Sequence, residues 1–394
     1  MKKLYPIILL VLAAWTVASC VYDYDPQIEG EGGYLVVEGN LVIGDYSEIS
    51  TGWSWSLVDT TQDAERWKIL ASNKMHVEAS NGTRYENLYG TYTPTLGRFD
   101  LRNADPSLEY RLVIENTKGT YATVWTKPLS PGTIDSLSFR ISDDEERLEI
   151  LVATHGDSET GSYYRWSVSE TWEYNADVYA EYKYDVESGE VVPQPYEENL
   201  YHCWTGFRRP DILLGSTTDL REDRLIDYEL YTVSKHDERI SVLYAADVLQ
   251  MRIPEEAWRY WQMMKRNSSD VGGLFSPEPS ELRGNIVCET HPQELVLGYV
   301  GVMSVATQRL YIDNSKIHFY RSIRPALPDA DTLNTRDQYK EAYSLFKLPT
   351  QDVLNLEGLS EIWLGYAWYP SDCVDCRRRG GTKTKPEGWP NTDL

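Results

Sequence analysis

Cysteine and histidine are the side chains best suited to nucleophilic, redox and metal chemistry, and their spacing here is informative. Cys373 and Cys376 form a single Cys-x-x-Cys pair. A redox dithiol wants a helix N-terminus after a strand, where the dipole lowers a thiol pKa. In this chain Tyr369-Pro370-Ser371-Asp372 precedes the pair, and Arg377-Arg378-Arg379-Gly380-Gly381 follows it, so only the arginines favour a thiolate. A zinc knuckle needs a second ligand pair; His202-Cys203 is the one candidate, and its spacing is poor. The better reading for Cys203, Cys288, Cys373 and Cys376 is structural disulfide bonding, with all three pairings of four cysteines open.

Other chemistry leaves little trace. His76, His155, His202, His236, His291 and His318 are scattered without His-x-x-x-His spacing, and no Gly-x-Ser-x-Gly elbow or phosphate loop is present. Asp143-Asp144-Glu145-Glu146 reads as a solvated turn. Asp329, Asp331 and Asp337 could serve calcium, but no EF-hand-like loop surrounds them. The expectation is a non-catalytic protein without a metal site.

Cys20 stands apart from the other cysteines. Lys2 and Lys3 precede an apolar stretch from Ile7 to Val17, and Val17-Ala18-Ser19-Cys20 closes it. Small residues before a cysteine at this point resemble the bacterial lipobox, in which residues 1–19 are removed and Cys20 receives lipid. Covalent lipid on Cys20 is then the only cofactor expected. The apolar stretch is too short to cross ~30 Å of hydrocarbon. Residues 20–33, rich in Asp, Glu and Gly, read as an acidic tether. Acidic residues soon after a lipidated cysteine often accompany display on the outer membrane of Bacteroidetes, so a surface-exposed, lipid-anchored body is expected there.

Loss of Lys2 and Lys3 with residues 1–19 leaves 36 basic against 61 acidic side chains and moves the formal charge from −23 to −25. Such a surface repels nucleic acid and anionic lipid alike. Tyrosine (29) and tryptophan (13) far outnumber phenylalanine (6), which suits half-wet β surfaces and binding faces.

These composition signals sit on a mainly β pattern. Short strand-like runs separated by turns over residues 34–128 predict an immunoglobulin-like β-sandwich. Lys127-Pro128-Leu129-Ser130-Pro131-Gly132 marks its boundary, and residues 133–394 form a second, larger β-rich domain. Within it, the aromatic run Tyr163 to Tyr184 reads as a hairpin whose Trp166, Trp172 and Tyr174 are the candidate ligand-binding rings. One helix is expected over 254–266: Pro254 suits a first helical position, Glu255 and Glu256 suit the positive end of the dipole, and Trp258 and Trp261 mark a core face. Asp329 to Arg336 reads as a polar loop.

Trp258-Arg259-Tyr260-Trp261, Gly272-Gly273-Leu274-Phe275, Pro277, Pro279, Gly284-Asn285-Ile286, Glu294 and Val296-Leu297-Gly298-Tyr299 follow one another in order. With Cys373-x-x-Cys376, Gly380-Gly381-Thr382, Lys385-Pro386 and Trp389, this series resembles the domain-of-unknown-function 4249 family. The resemblance implies a Bacteroidetes outer-membrane lipoprotein, commonly encoded beside a TonB-dependent receptor, and brings no catalytic residues. The function expected is binding of a ligand or docking on a TonB-dependent transporter during nutrient uptake. Binding of a surface glycan or a peptide through exposed Trp and Tyr is the alternative, and a thiol-disulfide or hydrolytic enzyme the less favoured one. Asp59-Thr60-Thr61, Asp135-Ser136-Leu137 and Asp331-Thr332-Leu333 resemble a Bacteroidetes O-glycosylation pattern.

Overall fold

A computed structural model describes residues 33–54, 63–269, 283–322, 327–357 and 360–391. Cys20, the 20–33 tether apart from Gly33, Asp59-Thr60-Thr61 and the Gly272-Gly273-Leu274-Phe275, Pro277 and Pro279 part of the family pattern lie outside the described residues. The protein is mainly β.

Alternation of buried and open positions builds the first sandwich. Its strands are β1 (Leu35–Val42), β2 (Tyr46–Trp53), β3 (Lys74–Ala79), β4 (Arg84–Glu86), β5 (Leu96–Asp100), β6 (Tyr110–Glu115) and β7 (Thr120–Thr123), with helix α1 (Asp63–Ala71) between β2 and β3. Leu35, Val37, Ile49 and Phe99 of the β1–β2–β5 sheet meet Met75, Val77, Leu112 and Ile114 of the β7–β6–β3–β4 sheet in one core. Tyr110 is fully buried, and its hydroxyl donates to Asp105 O at 2.7 Å. That return to the backbone just upstream is the tyrosine corner found in immunoglobulin-like sandwiches.

The second unit contains β8 (Thr133–Ile141), β9 (Arg147–His155), β10 (Tyr163–Asn175), β11 (Tyr182–Asp185), β12 (Glu190–Pro193), β13 (His202–Arg208), β14 (Leu213–Ser216), β15 (Arg224–Ser234) and β16 (Leu243–Ile253). Helix α2 (Glu255–Ser269) follows, where Pro254, Glu255 and Glu256 placed it, and its Ala257 is buried while Trp258 and Trp261 are partly buried against a cluster of Leu214, Met251, Ile253 and Met303.

The chain then returns to the first sandwich. β17 (Ile286–Cys288) pairs with β7, while β18 (Val296–Leu297) and β19 (Val300–Met303) run parallel to β1. Residues 34–128, read from sequence as the whole sandwich, thus receive three strands from 286–303. Alternation along a strand says which face is buried but not which distant partner hydrogen-bonds to it.

β20 (Ala306–Asp313) joins β16, making a sheet ordered β13–β10–β16–β20, with β14 also on β10. This sheet packs on β15–β9–β8 through Leu148, Ile150, Trp166, Val168, Val248 and Ile312. β21 (Asp331–Leu333), β22 (Lys347–Glu357) and β23 (Ser360–Pro370) form a further sheet, covered by helix α3 (Arg336–Ser344) through Tyr339 and Ala342 against Trp368. The stretch Asp329–Arg336 therefore contains a strand and a helix start, not only a loop. Gln338 Oε1 accepts from Thr335 N at 3.2 Å and from Thr335 Oγ1 at 2.9 Å, the Thr-x-x-Gln start signal that the sequence already carried. Ser136 lies in β8 and Thr332 in β21, both exposed.

Gly298 makes the parallel pairing with β1 feasible. Its φ is +103°, and a Cβ there would stand 1.9 Å from Val37 O. Gly298→Ala is expected to destabilise the chain by about 3 kcal/mol, since both the backbone region and the space are closed to a side chain. Urea unfolding checks this; a midpoint equal to the parent's would mean that β1 does not approach so closely.

Candidate functional site

A recess in the second unit forms where four elements meet. β10 supplies Trp172, β13 supplies Phe207, and the connection to β14 supplies Arg209, Pro210 and Asp211. A short 3-10 turn, Glu238–Ile240, supplies Glu238 and Arg239, with Asp237 capping it by accepting from Arg239 N at 3.0 Å. The recess holds about 480 Å³ and is open to solvent on one side. Trp172 and Phe207 form its aromatic edge, with centroids 5.9 Å apart and planes nearly perpendicular at 82°.

An ion-pair array forms the floor. Glu170 is 1% exposed, yet its carboxylate meets Arg209 at 3.2 Å and Arg239 at 2.7 Å, and it accepts the Tyr244 hydroxyl as well. Arg209 also reaches Asp211 at 2.6 Å, and Arg239 reaches Asp237 at 2.6 Å. Arg209 lies 4.1 Å from the centroid of Tyr231, whose hydroxyl is 2.8 Å from that of Tyr244. Burial, then Tyr231 and Glu170, push the Tyr244 hydroxyl far above its ordinary pKa, so it stays a neutral donor. For Arg239 burial opposes the charge, but Asp237 and Glu170 more than offset it, and its pKa is raised. Each guanidinium of the array thus meets two carboxylates, Arg209 those of Glu170 and Asp211, and Arg239 those of Glu170 and Asp237. Such a surface presents hydrogen-bonding groups in fixed positions.

A second recess of about 280 Å³ shares Glu238 and is lined also by Asn175, Asp177, Ser241 and Tyr320. Asn175 Oδ1 and Ser241 Oγ are buried there without a partner among the described residues. Arg379, from the C-terminal segment, donates to Glu238 at 2.7 Å and to Asn175 O at 2.6 Å.

The three aromatic candidates separate at this site. Trp172 lines the larger recess, whereas Trp166 and Tyr174 are each 1% exposed. Trp166 faces the core and donates to Gln250 Oε1 at 2.9 Å; Tyr174 donates to Cys376 O at 2.7 Å. Both are core rings, because β10 is covered by sheet β15–β9–β8 near Trp166 and by the C-terminal segment near Tyr174. Phe207, Arg209 and Arg239 were not singled out from the sequence. An arginine two residues beyond an aromatic strand carries no periodic signal of its own.

The cysteines pair across the chain. Cys203 bonds Cys376, 173 residues apart. Cys288 and Cys373 stand outside that bond as buried side chains. The Cys-x-x-Cys pair is therefore divided: Cys376 ties helix α4 (Ser371–Val374) and the turn after it to β13, while Cys373 packs with Ala180 and Val374. Cys288, His291 and Glu294 also approach, with one ligand atom of each within 4.8 Å of the others. Lys118 at 2.7 Å and the Tyr121 hydroxyl at 2.9 Å already hold Glu294, so a cation would have to compete with an ammonium.

Residues 21–309 match the family described as a domain of unknown function, DUF4249. The chain belongs to the DUF4249 family. No curated protein matches the chain. The described part of the family pattern has a structural role. Asn285 donates through Nδ2 to Val300 O at 2.7 Å and accepts from Val300 N at 2.9 Å, while its carbonyl accepts from Val124 N. Asn285 thus clasps the two sheets of the first sandwich. In the C-terminal segment of this DUF4249 chain, a Cβ on Gly381 would meet the Tyr174 hydroxyl at 2.3 Å and Cys203 Cβ at 2.7 Å. Trp389 donates to the buried Glu173 at 2.7 Å. Among the described residues no helix is long and apolar enough to cross a membrane.

Proposed function

We propose that this protein is a non-catalytic, lipid-anchored lipoprotein of the outer membrane, tethered through Cys20, that binds a ligand as an accessory of a TonB-dependent nutrient-uptake system. The recess at Trp172 and Phe207 carries the reading: it is open, aromatic-edged and floored by charges that are already paired. Such a floor holds a polar ligand by hydrogen bonds without needing a charge on the ligand. The orphaned Asn175 Oδ1 and Ser241 Oγ in the adjoining recess offer further contacts to a ligand that spans both. The Cys203–Cys376 bond supports an oxidising, extracytoplasmic setting. Lipid on Cys20 and a transporter partner rest on the lipobox-like sequence and on what membership of the family implies.

A tagged full-length chain, extracted in mild detergent from its host's outer membrane, is expected to co-purify with a TonB-dependent transporter and to incorporate labelled palmitate. Recovery of neither would remove the assignment.

A narrower reading, binding of a surface glycan, is favoured by the perpendicular Trp172–Phe207 pair beside fixed carboxylates and guanidiniums. On an array of glycans, Trp172→Ala is expected to weaken binding roughly tenfold, equivalent to about 1.5 kcal/mol of aromatic contact. Binding that is indifferent to Trp172→Ala would place the ligand elsewhere.

A further inference from the structure

β10 carries a second arginine cluster, on the face turned away from Glu170 and Trp172. There Arg165 lies in register between Leu214 of β14 and Met251 of β16. Its guanidinium carbon is 3.7 Å from the ring centroid of Trp261 on α2. Tyr163, two residues earlier on that face, stacks on Trp258 with centroids 4.9 Å apart. Helix α2 therefore lays an aromatic wall along this side of the strand.

The contrast with the other face is in the charges. Arg209 and Arg239 each hold two carboxylates. Arg165 is partly buried, and its Nε is buried without a partner among the described residues. Among the described residues no carboxylate acts on it; its charged neighbour is another cation, Arg208. Arg208 donates through Nε to Ser167 Oγ at 3.0 Å, next along the same face, and likewise has no carboxylate partner among the described residues. Burial first, and then the like charge of Arg208, bring the Arg165 guanidinium down to about 10. The chain has 23 more acidic than basic side chains, so a supply of carboxylates is not what is missing.

An enclosed charge is tolerated when a counter-charge answers it. The indole covers one face of the Arg165 guanidinium and leaves its in-plane N–H donors, the arrangement that matches a carboxylate, sulfate or phosphate edge. We propose that Arg165 and Arg208 form an oxyanion site that takes the carboxylate, sulfate or phosphate group of a small-molecule ligand, with Trp261 as the platform under Arg165. Ser167 orients Arg208, and Tyr260 lies close enough to Arg165 to interact with it. This site is separate from the recess at Trp172, and its test does not depend on that recess.

The full chain in mild detergent is titrated with sodium phosphate, sodium sulfate and sodium citrate against sodium chloride at matched ionic strength, with tryptophan fluorescence and melting temperature as readouts. At least one of the three is expected to give a saturable fluorescence change and a raised melting temperature, and the order among them names the anionic group. Arg165→Met is expected to weaken that response about tenfold or more, and Arg208→Gln by about threefold. In chloride alone Arg165→Met is expected to melt no lower than the parent, because it removes an unanswered charge while keeping the stack on Trp261. A lower melting temperature for that variant in chloride would make Arg165 a structural strut and overturn the proposal. Identical behaviour of the parent in all four salts would also overturn it, as would a response that survives Arg165→Met. Should Arg165→Met not fold, Arg165→Lys takes its place: it keeps the charge but loses the fork, so an unchanged titration rejects the site and a weakened one supports it.

Discussion

Glu170→Met is expected to lower stability by about 3–5 kcal/mol. The side chain is 1% exposed and receives Arg209, Arg239 and the Tyr244 hydroxyl together. Removing it leaves two guanidiniums facing each other in a poorly hydrated place, and it leaves a buried phenol without its acceptor. The cost arises from the groups left behind more than from the lost attraction. Urea unfolding of the variant measures it. A second change, Arg239→Met in the Glu170→Met background, is expected to recover part of the loss, since one of the two guanidiniums left facing each other without Glu170 disappears. A loss below about 1 kcal/mol for Glu170→Met would mean that water reaches the array and that it behaves like a surface ion pair.

The second large effect concerns the disulfide. Cys203→Ala with Cys376→Ala is expected to cost up to about 5 kcal/mol, because the bond closes a loop of 173 residues in the unfolded chain. The consequence should be local before it is global. Cys376 anchors the segment from which Arg379 reaches Glu238, so Glu238 of the smaller recess is expected to lose its contact with Arg379 once the bond is gone. Thiol labelling followed by peptide mapping checks the pairing. In denaturant without reductant, Cys288 and Cys373 should take the label, and Cys203 and Cys376 only after reduction. Label on Cys203 before reduction would reject it.

Membership of DUF4249 bears on how these effects are read. Asn285 joins the two sheets of the first sandwich, and Gly298 lets β1 approach. Both belong to the family pattern and both act in folding. The recess residues Phe207, Arg209 and Arg239 lie outside the residues that carried the resemblance. That division fits a scaffold on which the recess is a separate feature.

Much of the local architecture was legible in the residues. The aromatic run Tyr163 to Tyr184 was legible as strand, because a strand's side chains change face at each step, but not as a hairpin: β10 pairs with β13, β14 and β16, and β11 with β12. Pro254, Glu255 and Glu256 declared the start of α2, because the first helical turn has spare N–H groups and a positive dipole end. The Thr335-x-x-Gln338 signal was equally present and equally local. Which cysteine bonds which was decided only by the tertiary structure, since Cys203 and Cys376 meet through packing that no spacing encodes. The same holds for Trp172 at a recess edge while Trp166 lies in the core, and for Glu170 between two arginines. Hydrogen bonding and apolar periodicity act over a few residues and leave a pattern in the chain. Burial, register and ion pairing act between segments distant along it, and they take form only once those segments are packed together.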